Sequence, residues 1–409
     1  MKVYLKTFGC RVNQVESQAA LEKFLAQGHQ ITQNFKEADL CFLNTCSVTH
    51  KADRDAEREI RKIAKENPQA NLIITGCYAM ANKDKILAAH PFAQVVFKPD
   101  IGPALFDTEM DWTVKHHAGK TRAFIKIQDG CDCFCSYCIV PYTRPQKTSK
   151  PKEILLAEIK NLIAAGYKEI VLTGINIGNY CCPQTGADLA GIMPDIFALP
   201  GDFRIRFSSI EINTITDTLL AACAAAGQKF CNYFHIPLQS GSDDVLKNMR
   251  RRYNAAEYLS RLAQIREKIP SAAIYCDIMA GYPSETAVNF EESLKFLNKA
   301  TFAGLHVFSY SKRSGTPAAE MPQIADKEIK RRANILHAKD KELRAAFAAS
   351  LTNTKQQFLA EEATATTVSG VLANFQRCIV KGAHKTGELS QVKIISAKDG
   401  ICYGILNLL

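Results

Sequence analysis

The first hundred residues alternate between apolar, strand-like runs and amphipathic, helix-like segments. Strand patterns cover residues 2–8, 39–44 and 71–75, and helical patterns cover residues 15–27 and 52–66. This βαβαβ order predicts a parallel sheet, whose strands all end at the same edge.

The same alternation continues from about residue 120 through six further strand and helix units. Strand patterns lie near residues 123–128, 169–173, 204–208, 233–237, 273–279 and 304–309, and the clearest helical patterns cover 154–165, 217–226, 255–268 and 288–299. Six units are too few to close an eight-stranded barrel. We therefore predict an open, partial (βα)6 barrel with its chemistry at the carboxyl ends of the strands.

The C-terminal part has a different pattern of apolar and polar residues. A long basic helix is predicted over 326–349, followed by short strands at 364–372, 378–381, 389–395 and 401–406 with glycine turns between them. The fold class is thus α/β with a small all-β tail. The predicted domains are 1–110, 120–350 and 351–409, with a linker around 99–120.

Composition narrows the class of protein. Hydrophobic residues make up 47% and charged residues 22% of the chain, a globular balance. The N-terminus lacks a signal-peptide pattern, and no apolar run approaches the roughly 20 residues that span a bilayer. We expect a cytoplasmic protein without a membrane partner.

The cysteine content points to metal or redox chemistry. The chain has 15 cysteines, and an odd number in a large cytoplasmic protein does not indicate a disulfide framework. Some are expected to be small buried hydrophobes because they lie within apolar runs. These are Cys41, Cys223, Cys231, Cys276, Cys378 and Cys402.

Charge indicates a polyanionic partner such as RNA. The formal net charge is +10, and residues 301–409 contain 15 Lys and Arg against 9 Asp and Glu. Candidate phosphate contacts are Arg250, Arg251, Arg331 and Arg332. A solvated helix face is the alternative interpretation of these positions.

Three closely spaced cysteines follow the first predicted barrel strand. Cys131, Cys135 and Cys138 can hold three irons of a 4Fe–4S cluster and leave the fourth iron open for a ligand. The amino and carboxylate groups of S-adenosylmethionine could chelate that iron. A zinc site that uses Cys133 as a fourth ligand is the alternative, although four ligands within eight residues cannot easily surround one ion.

Polar and glycine residues at the other strand ends could bind the rest of that cofactor. The candidates are Tyr137, Gly174, Ser209, Glu211, Gln239 and Gly281.

Three distant cysteines share one structural position. Cys10, Cys46 and Cys77 each follow one of the three predicted N-terminal strands, so a parallel sheet brings them to one edge. Helices that follow would direct their positive N-terminal ends there and favour thiolates. We therefore predict a second cluster, with three unrelated buried cysteines as the alternative.

The motifs together resemble the radical S-adenosylmethionine methylthiotransferases over essentially the whole chain. The resemblance rests on the two cysteine sets and on four segments. These are Asn44–Asp53, Ile127–Cys131, Ser208–Glu211 and Tyr310–Pro317. The segments look most like the branch that acts on threonylcarbamoyladenosine in tRNA, and the tail is similar to an RNA-binding TRAM barrel.

This resemblance implies a reaction that uses two 4Fe–4S clusters and two S-adenosylmethionine molecules. A methyl group would first pass to sulfur at the Cys10, Cys46 and Cys77 cluster. At the Cys131 loop the second molecule would yield a 5′-deoxyadenosyl radical, which removes hydrogen from adenine carbon 2 so that the methylthio group can take its place. The implied partners are the tRNA anticodon stem-loop and an electron donor such as flavodoxin or ferredoxin.

Two other functions stay open at this point. One is a sister methylthiotransferase that acts on isopentenyladenosine in tRNA or on a ribosomal protein. The other is a metal-bearing RNA-binding protein without catalysis. The chain also departs from the family pattern at Cys133, at Asn176 and at Pro145, where the family commonly has glycine after Arg144.

Overall fold

The computed structural model describes residues 1–47, 49–117, 119–382 and 385–406. Val48 of the loop after Cys46, Ala118 of the predicted linker and residues 407–409 of the predicted tail lie outside the described residues. No helix within the described ranges is long and apolar enough to cross a membrane.

The N-terminal part contains a five-stranded parallel sheet in the order β2-β1-β3-β4-β5. Its strands are β1 (Lys2–Thr7), β2 (Gln30–Thr32), β3 (Leu40–Thr45), β4 (Asn71–Gly76) and β5 (Gln94–Val95). Its helices are α1 (Arg11–Ala26), α2 (His50–Glu66), α3 (Cys77–Ala81), α4 (Lys83–Ala89) and α5 (Ile101–Phe106). The predicted parallel sheet is confirmed.

The prediction for this sheet was wrong in two details. It missed β2 and β5, which are edge strands of three and two residues and too short to show an alternating pattern. It also began α1 at Val15, whereas the helix begins at Arg11. Cys10 is the N-cap residue, and its carbonyl accepts a hydrogen bond from the Gln14 amide.

The central part is a partial barrel of six parallel strands. These are β6 (Arg122–Asp129), β8 (Glu169–Gly174), β9 (Arg204–Phe207), β10 (Tyr233–His235), β11 (Ala273–Ala280) and β12 (Gly304–Ser309), with a short antiparallel strand β7 (Thr148–Ser149) beside β6. Isolated parallel bridges between Ile205 and Phe230 and between Ser209 and His235 join its two halves. The predicted six-unit barrel is confirmed.

Helices follow the barrel strands, and the longer ones cover its outer face. They are α6 (Val140–Thr143), α7 (Lys152–Ala164), α8 (Leu189–Ala198), α9 (Asp217–Ala225), α10 (Asp243–Asn248), α11 (Ala255–Lys268), α12 (Ala287–Ala300) and α13 (Asp326–Ser350). Outward-facing strand residues such as Ile125, Leu172, Phe234 and Ile278 are buried against these helices in one large core. Residues that alternate with them face the barrel interior, where the polar groups lie.

The C-terminal part is a closed five-stranded barrel in the order β13-β14-β15-β17-β16. Its strands are β13 (Lys355–Ala363), β14 (Thr367–Leu372), β15 (Arg377–Lys381), β16 (Leu389–Lys398) and β17 (Ile401–Leu406). The sequence analysis missed β13 because polar residues surround its short apolar centre. The six cysteines predicted to be inert hydrophobes are all buried, and Cys378 and Cys402 lie in the core of this barrel.

A buried ion-pair cluster joins the C-terminal barrel to the central barrel. Arg204 and Arg206 of β9 are fully buried, and both donate hydrogen bonds to Glu169 of β8. Arg204 also donates to the Val371 carbonyl at 3.2 Å, and Arg206 donates to the Ala373 carbonyl at 3.2 Å. The charges on these strands therefore fix the position of the tail.

We expect Glu169→Gln to destabilise the protein by about 3 to 5 kcal/mol, because it leaves two buried guanidinium groups without their carboxylate. Burial would raise the pKa of Glu169, but Arg206 and Arg204 lower it below its ordinary value. The stabilisation is therefore complete above an unfolded pKa of about 4.3 and is lost as pH falls below it. Urea unfolding at pH 7 and at pH 4 measures both effects.

Asp195→Asn is the matched control, because it removes a carboxylate from the partly exposed Lys152–Asp195 pair. This change should leave the unfolding midpoint nearly unchanged. Equal midpoints for the Glu169→Gln variant and the wild type would contradict the role of the buried pair.

Candidate active site

The three N-terminal cysteines lie at the carboxyl ends of adjacent strands. Cys10 directly precedes α1, Cys46 follows β3 and Cys77 is the first residue of α3. Strands β1, β3 and β4 are neighbours in the sheet, so the three loops share one edge. The parallel sheet therefore brings these cysteines together.

Two glycines allow the three loops to approach closely. A side chain at Gly9 would lie 2.2 Å from the Cβ atom of Cys46, and one at Gly76 would lie 2.1 Å from the carbonyl oxygen of Thr45. Both glycines also have positive φ angles, +88° and +94°, which side chains rarely adopt. Glycine immediately before Cys10 and Cys77 is thus required by geometry.

Hydrogen bonds from buried polar side chains hold these loops in place. The Asn13 amide donates at 2.9 Å to the carbonyls of both Phe8 and Thr45. The Thr45 hydroxyl donates to the Thr75 carbonyl at 2.6 Å and accepts a hydrogen bond from the Ala79 amide at 3.0 Å. The sequence analysis did not identify Asn13 or Thr45 as site residues.

The central cysteine loop follows β6 at the same end of the molecule. Its Ser136 amide donates to the Met249 carbonyl at 3.1 Å, and its Ser136 hydroxyl donates to the Asn248 carbonyl at 2.8 Å. The loop carrying Cys131, Cys135 and Cys138 is therefore attached to the segment that follows α10.

The two cysteine sets face each other across the junction of the first two parts. Helix α3, which begins at Cys77, packs on helix α6, which begins two residues after Cys138. The pKa of Cys138 is raised to about 12, chiefly by burial and with smaller contributions from the charges of Cys135 and Cys77. Cys77 of the sheet edge and Cys138 of the central loop thus lie close enough to interact electrostatically.

A buried network of charges lies directly behind this junction. The Arg144 guanidinium contacts Glu16 at 2.9 Å and Asp129 at 2.6 Å, and its Nε donates to the Cys77 sulfur at 3.5 Å. Lys126 contacts both Glu16 and Asp129, and Lys98 contacts Glu16. Three cations therefore surround two carboxylates, which leaves one positive charge beside Cys77.

Burial and the neighbouring charges shift the pKa of Glu16 in opposite directions. It would raise the pKa of Glu16, but Arg144, Lys126 and Lys98 lower it well below its ordinary value. Burial also lowers the pKa of Lys98 to about 8, partly offset by Glu16, so that Lys98 remains mainly protonated at neutral pH. The neighbouring cations thus lower the pKa values of both Glu16 and Asp129.

A second guanidinium contacts the central cysteine loop. Arg251 donates to the Cys135 sulfur at 3.3 Å and also pairs with Glu211. Burial raises the pKa of Cys135, and Arg251 opposes this effect. Each cysteine set therefore has an arginine within hydrogen-bond distance of one sulfur, which suits anionic ligands of an iron–sulfur cluster.

The thiols are not arranged around a single metal ion. Within the described residues, no three Cys, His, Asp or Glu side chains are close enough to hold one ion. A tetrahedral zinc site would place its sulfurs about 2.3 Å from the metal. Cys133 instead forms a hydrogen bond with Cys131, which lowers the pKa of Cys131. Each set does contain three cysteines, which is the number of ligands that a cubane with one open iron requires.

Several buried polar atoms at the ends of the barrel strands have no hydrogen-bond partner among the described residues. They are Asn176 Oδ1, Ser208 Oγ and Gln239 Oε1. Gln239 also has a φ angle of +71°, which is unusual for a residue with a side chain and is common at ligand sites. These atoms fit the polar groups of a bound nucleoside.

The remaining cofactor candidates have protein partners. The Ser209 hydroxyl lies 3.4 Å from His235 Nδ1, and the Tyr137 ring packs against Tyr282 with centroids 6.5 Å apart. A Cβ atom on Gly174 would lie 2.9 Å from the Gln128 carbonyl oxygen, and one on Gly281 would lie 2.5 Å from Ile329. The two glycines are thus explained by close packing, while Ser209 and Tyr137 line the same end of the barrel.

The four arginines proposed as phosphate contacts separate into two groups. Arg250 and Arg331 are exposed, although Arg331 pairs with Glu328 at 2.8 Å. The Arg251 and Arg332 side chains are only 4% and 6% exposed, and Arg332 contacts Glu285 at 2.7 Å. Their charges are already paired inside the protein. No local pattern indicates that neighbouring arginines point in opposite directions.

Sequence reasoning also missed Glu16, Lys98 and Lys126 as site residues. A charged Glu16 within the apolar stretch of α1 was the available signal, since a buried carboxylate requires partners. Arg144 was noted only because Pro145 follows it. The structure shows that the Arg144 side chain contacts Cys77, which follows strand β4.

Comparisons with known proteins show which families this chain matches. Residues 2–98 match the family described as Uncharacterized protein family UPF0004, and residues 125–297 match the Radical SAM superfamily. The threonylcarbamoyladenosine tRNA methylthiotransferase MtaB of Bacillus subtilis (strain 168) is 34% identical over 97% of this chain and 94% of its own length. The protein of the same name from Thermotoga maritima is 31% identical over 97% and 95%.

A relative with a related activity and a more distant solved structure also match this chain. The tRNA-2-methylthio-N(6)-dimethylallyladenosine synthase of Ruegeria sp. (strain TM1040) is 32% identical over 82% of both chains. The radical S-adenosylmethionine methyltransferase TsrM from Kitasatospora setae has a TM-score of 0.57 at 11% identity, covering 89% of this chain and 79% of that one, and it shows the fold alone. The chain belongs to the radical S-adenosylmethionine methylthiotransferases, enzymes that use 4Fe–4S clusters and S-adenosylmethionine, and its matches favour the threonylcarbamoyladenosine branch.

Proposed function

We propose that this enzyme converts N6-threonylcarbamoyladenosine beside the tRNA anticodon to its 2-methylthio derivative. The observation that carries the proposal is the junction where α3 and Cys77 meet α6 and Cys138. A methylthio donor and a radical generator must reach the same carbon, and only facing cysteine sets allow this. Relatives that span nearly the whole chain carry that activity in their names.

The proposal assigns each part of the chain a task. Residues 1–110 would hold one cluster through Cys10, Cys46 and Cys77. Residues 120–350 would hold the other through Cys131, Cys135 and Cys138, and residues 351–409 would contribute to tRNA binding. When bound, the two clusters supply an open iron for S-adenosylmethionine and a site for the transferred sulfur.

The chain's own residues orient these groups. Arg144 and Arg251 each donate a hydrogen bond to a cluster cysteine and stabilise negative charge there. The unpartnered oxygens of Asn176, Ser208 and Gln239 can bind the cofactor's polar groups at the strand ends.

The proposal extends to partners that the reaction requires. These are the anticodon stem-loop of tRNA and an electron donor such as flavodoxin or ferredoxin. It also includes a cytoplasmic location, because reducing conditions keep thiols available for iron.

Nucleoside analysis tests the substrate directly. Cells that lack the protein should contain threonylcarbamoyladenosine without its methylthio group, and restoring the gene should restore the modified nucleoside. Mass spectrometry of digested tRNA measures both. If the restored product were instead a methylthiolated isopentenyladenosine, the proposed substrate would be wrong.

Cys46→Ala should separate the two proposed cluster roles. It removes a ligand from the N-terminal set only, so reductant-dependent cleavage of S-adenosylmethionine should persist while methylthiolated product is lost. Liquid chromatography of 5′-deoxyadenosine and of tRNA nucleosides measures the two activities after anaerobic reconstitution.

Cys41→Ala is the matched control, because Cys41 is a buried thiol of the same strand that lies away from the sheet edge. This variant should retain both activities. Full product formation by Cys46→Ala would contradict the division of labour between the clusters.

Arg144→Gln should weaken both the fold and the transfer step. Its loss leaves Glu16 and Asp129 with fewer buried partners, which costs about 3 to 5 kcal/mol for a broken buried pair. Urea unfolding of the protein without clusters measures the loss, and the ratio of product to cleaved S-adenosylmethionine should also fall.

Arg144→Lys should rescue little, because one ammonium group cannot replace a guanidinium that contacts four side chains. Arg58→Gln is the control, since that side chain is 75% exposed. If Arg144→Gln unfolded at the same urea concentration as the wild type, the charge network would not have the role proposed for it.

A further inference from the structure

Two exposed aromatic rings lie on and beside the central cysteine loop. Phe134 is 46% exposed and Tyr142 is 49% exposed, and their centroids are 5.7 Å apart at an angle of 81°. Phe134 lies between Cys133 and Cys135, and Tyr142 lies in α6. Neither ring belongs to a described hydrophobic core. Exposed apolar patches of this kind mark sites of interaction.

The backbone of Phe134 supports a functional role for its ring. Its φ angle is +46°, in the left-handed region that bulky residues rarely adopt. Such strain persists where the surrounding structure imposes it, and it concentrates at ligand sites. The anchored cysteine loop therefore presents the ring to solvent at an energetic cost.

Basic side chains surround the aromatic pair. Arg252 is exposed and donates to the Asp132 carbonyl at 3.0 Å, two residues from Phe134. Lys147 is half exposed and contacts the Asp132 carboxylate at 2.6 Å. Arg250 is also exposed, and it follows the residue whose carbonyl holds the cysteine loop. Basic side chains therefore lie beside the Phe134 end of the aromatic pair.

We propose that this surface, formed by Phe134, Tyr142, Lys147, Arg250 and Arg252 and here called the aromatic rim, binds the unpaired nucleotides that flank the target adenosine. Bases of single-stranded RNA stack on aromatic rings, and nearby cations bind their phosphates. Base pairs in a duplex are stacked on each other and offer no free face. The rim therefore selects an RNA loop over a duplex. This inference rests on the proposed tRNA substrate.

Binding of an anticodon stem-loop RNA with 2-aminopurine on either side of the target adenosine tests the rim. Phe134→Leu and Tyr142→Ala should each raise the Kd about tenfold, because stacking on one ring contributes on the order of a tenfold to hundredfold affinity per base. Both should also reduce the quenching of 2-aminopurine on binding. Tyr142→Phe should bind like the wild type, because it retains the ring.

Phe92→Ala is the matched control, since Phe92 is equally exposed at 46% but lies far along the chain in the loop before β5. It should leave the Kd unchanged. Iron content and far-UV circular dichroism confirm that each variant is folded and can hold its clusters. The double variant Arg250→Gln, Arg252→Gln should lower the salt dependence of binding, whereas the aromatic variants should not.

Wild-type affinity and quenching for both Phe134→Leu and Tyr142→Ala would overturn the proposal. So would an equal loss of affinity for Phe92→Ala, or an equal loss with a fully paired RNA duplex. These outcomes are distinct from failure of the proposed function, in which the wild-type enzyme itself would neither bind the stem-loop nor form the methylthiolated nucleoside.

Discussion

The contact between Arg144 and Glu16 is the interaction on which the rest of the site depends. It joins a residue behind the central cysteine loop to a residue of α1, and both side chains are almost completely buried. A lone buried charge would be strongly unfavourable, so each of these groups requires the other part of the chain. The network therefore fixes how the N-terminal sheet lies against the barrel, and with it the distance between the two cysteine sets.

The surplus charge of this network has a chemical consequence. Lys98, Lys126 and Arg144 outnumber Glu16 and Asp129, and the guanidinium that contacts both carboxylates also donates to Cys77. A cluster held by thiolates is anionic, so its presence would neutralise the remaining positive charge. The same residues thus serve the assembly of the protein and the electrostatics of its site.

The central triplet of arginines shows how one short segment divides its roles. Arg251 faces inward and contacts Cys135 and Glu211, whereas Arg250 and Arg252 are exposed on the rim. A left-handed φ angle of +59° at Arg250 allows this reversal of direction. These three basic residues look equivalent in sequence, but they point in opposite directions. Arg251 points towards the cysteines, and Arg250 and Arg252 point towards solvent.

Sequence alone determined the α/β class, the six-unit barrel and the common edge of Cys10, Cys46 and Cys77, because strand periodicity and parallel order follow from local pattern. It missed β2, β5 and β13, whose short or polar segments become strands only when neighbouring strands pair with them. Only the tertiary structure decided the partners of Arg144 and the opposite directions of Arg250 and Arg251. Burial and pairing of charge depend on residues more than a hundred positions apart, and no local pattern encodes such contacts.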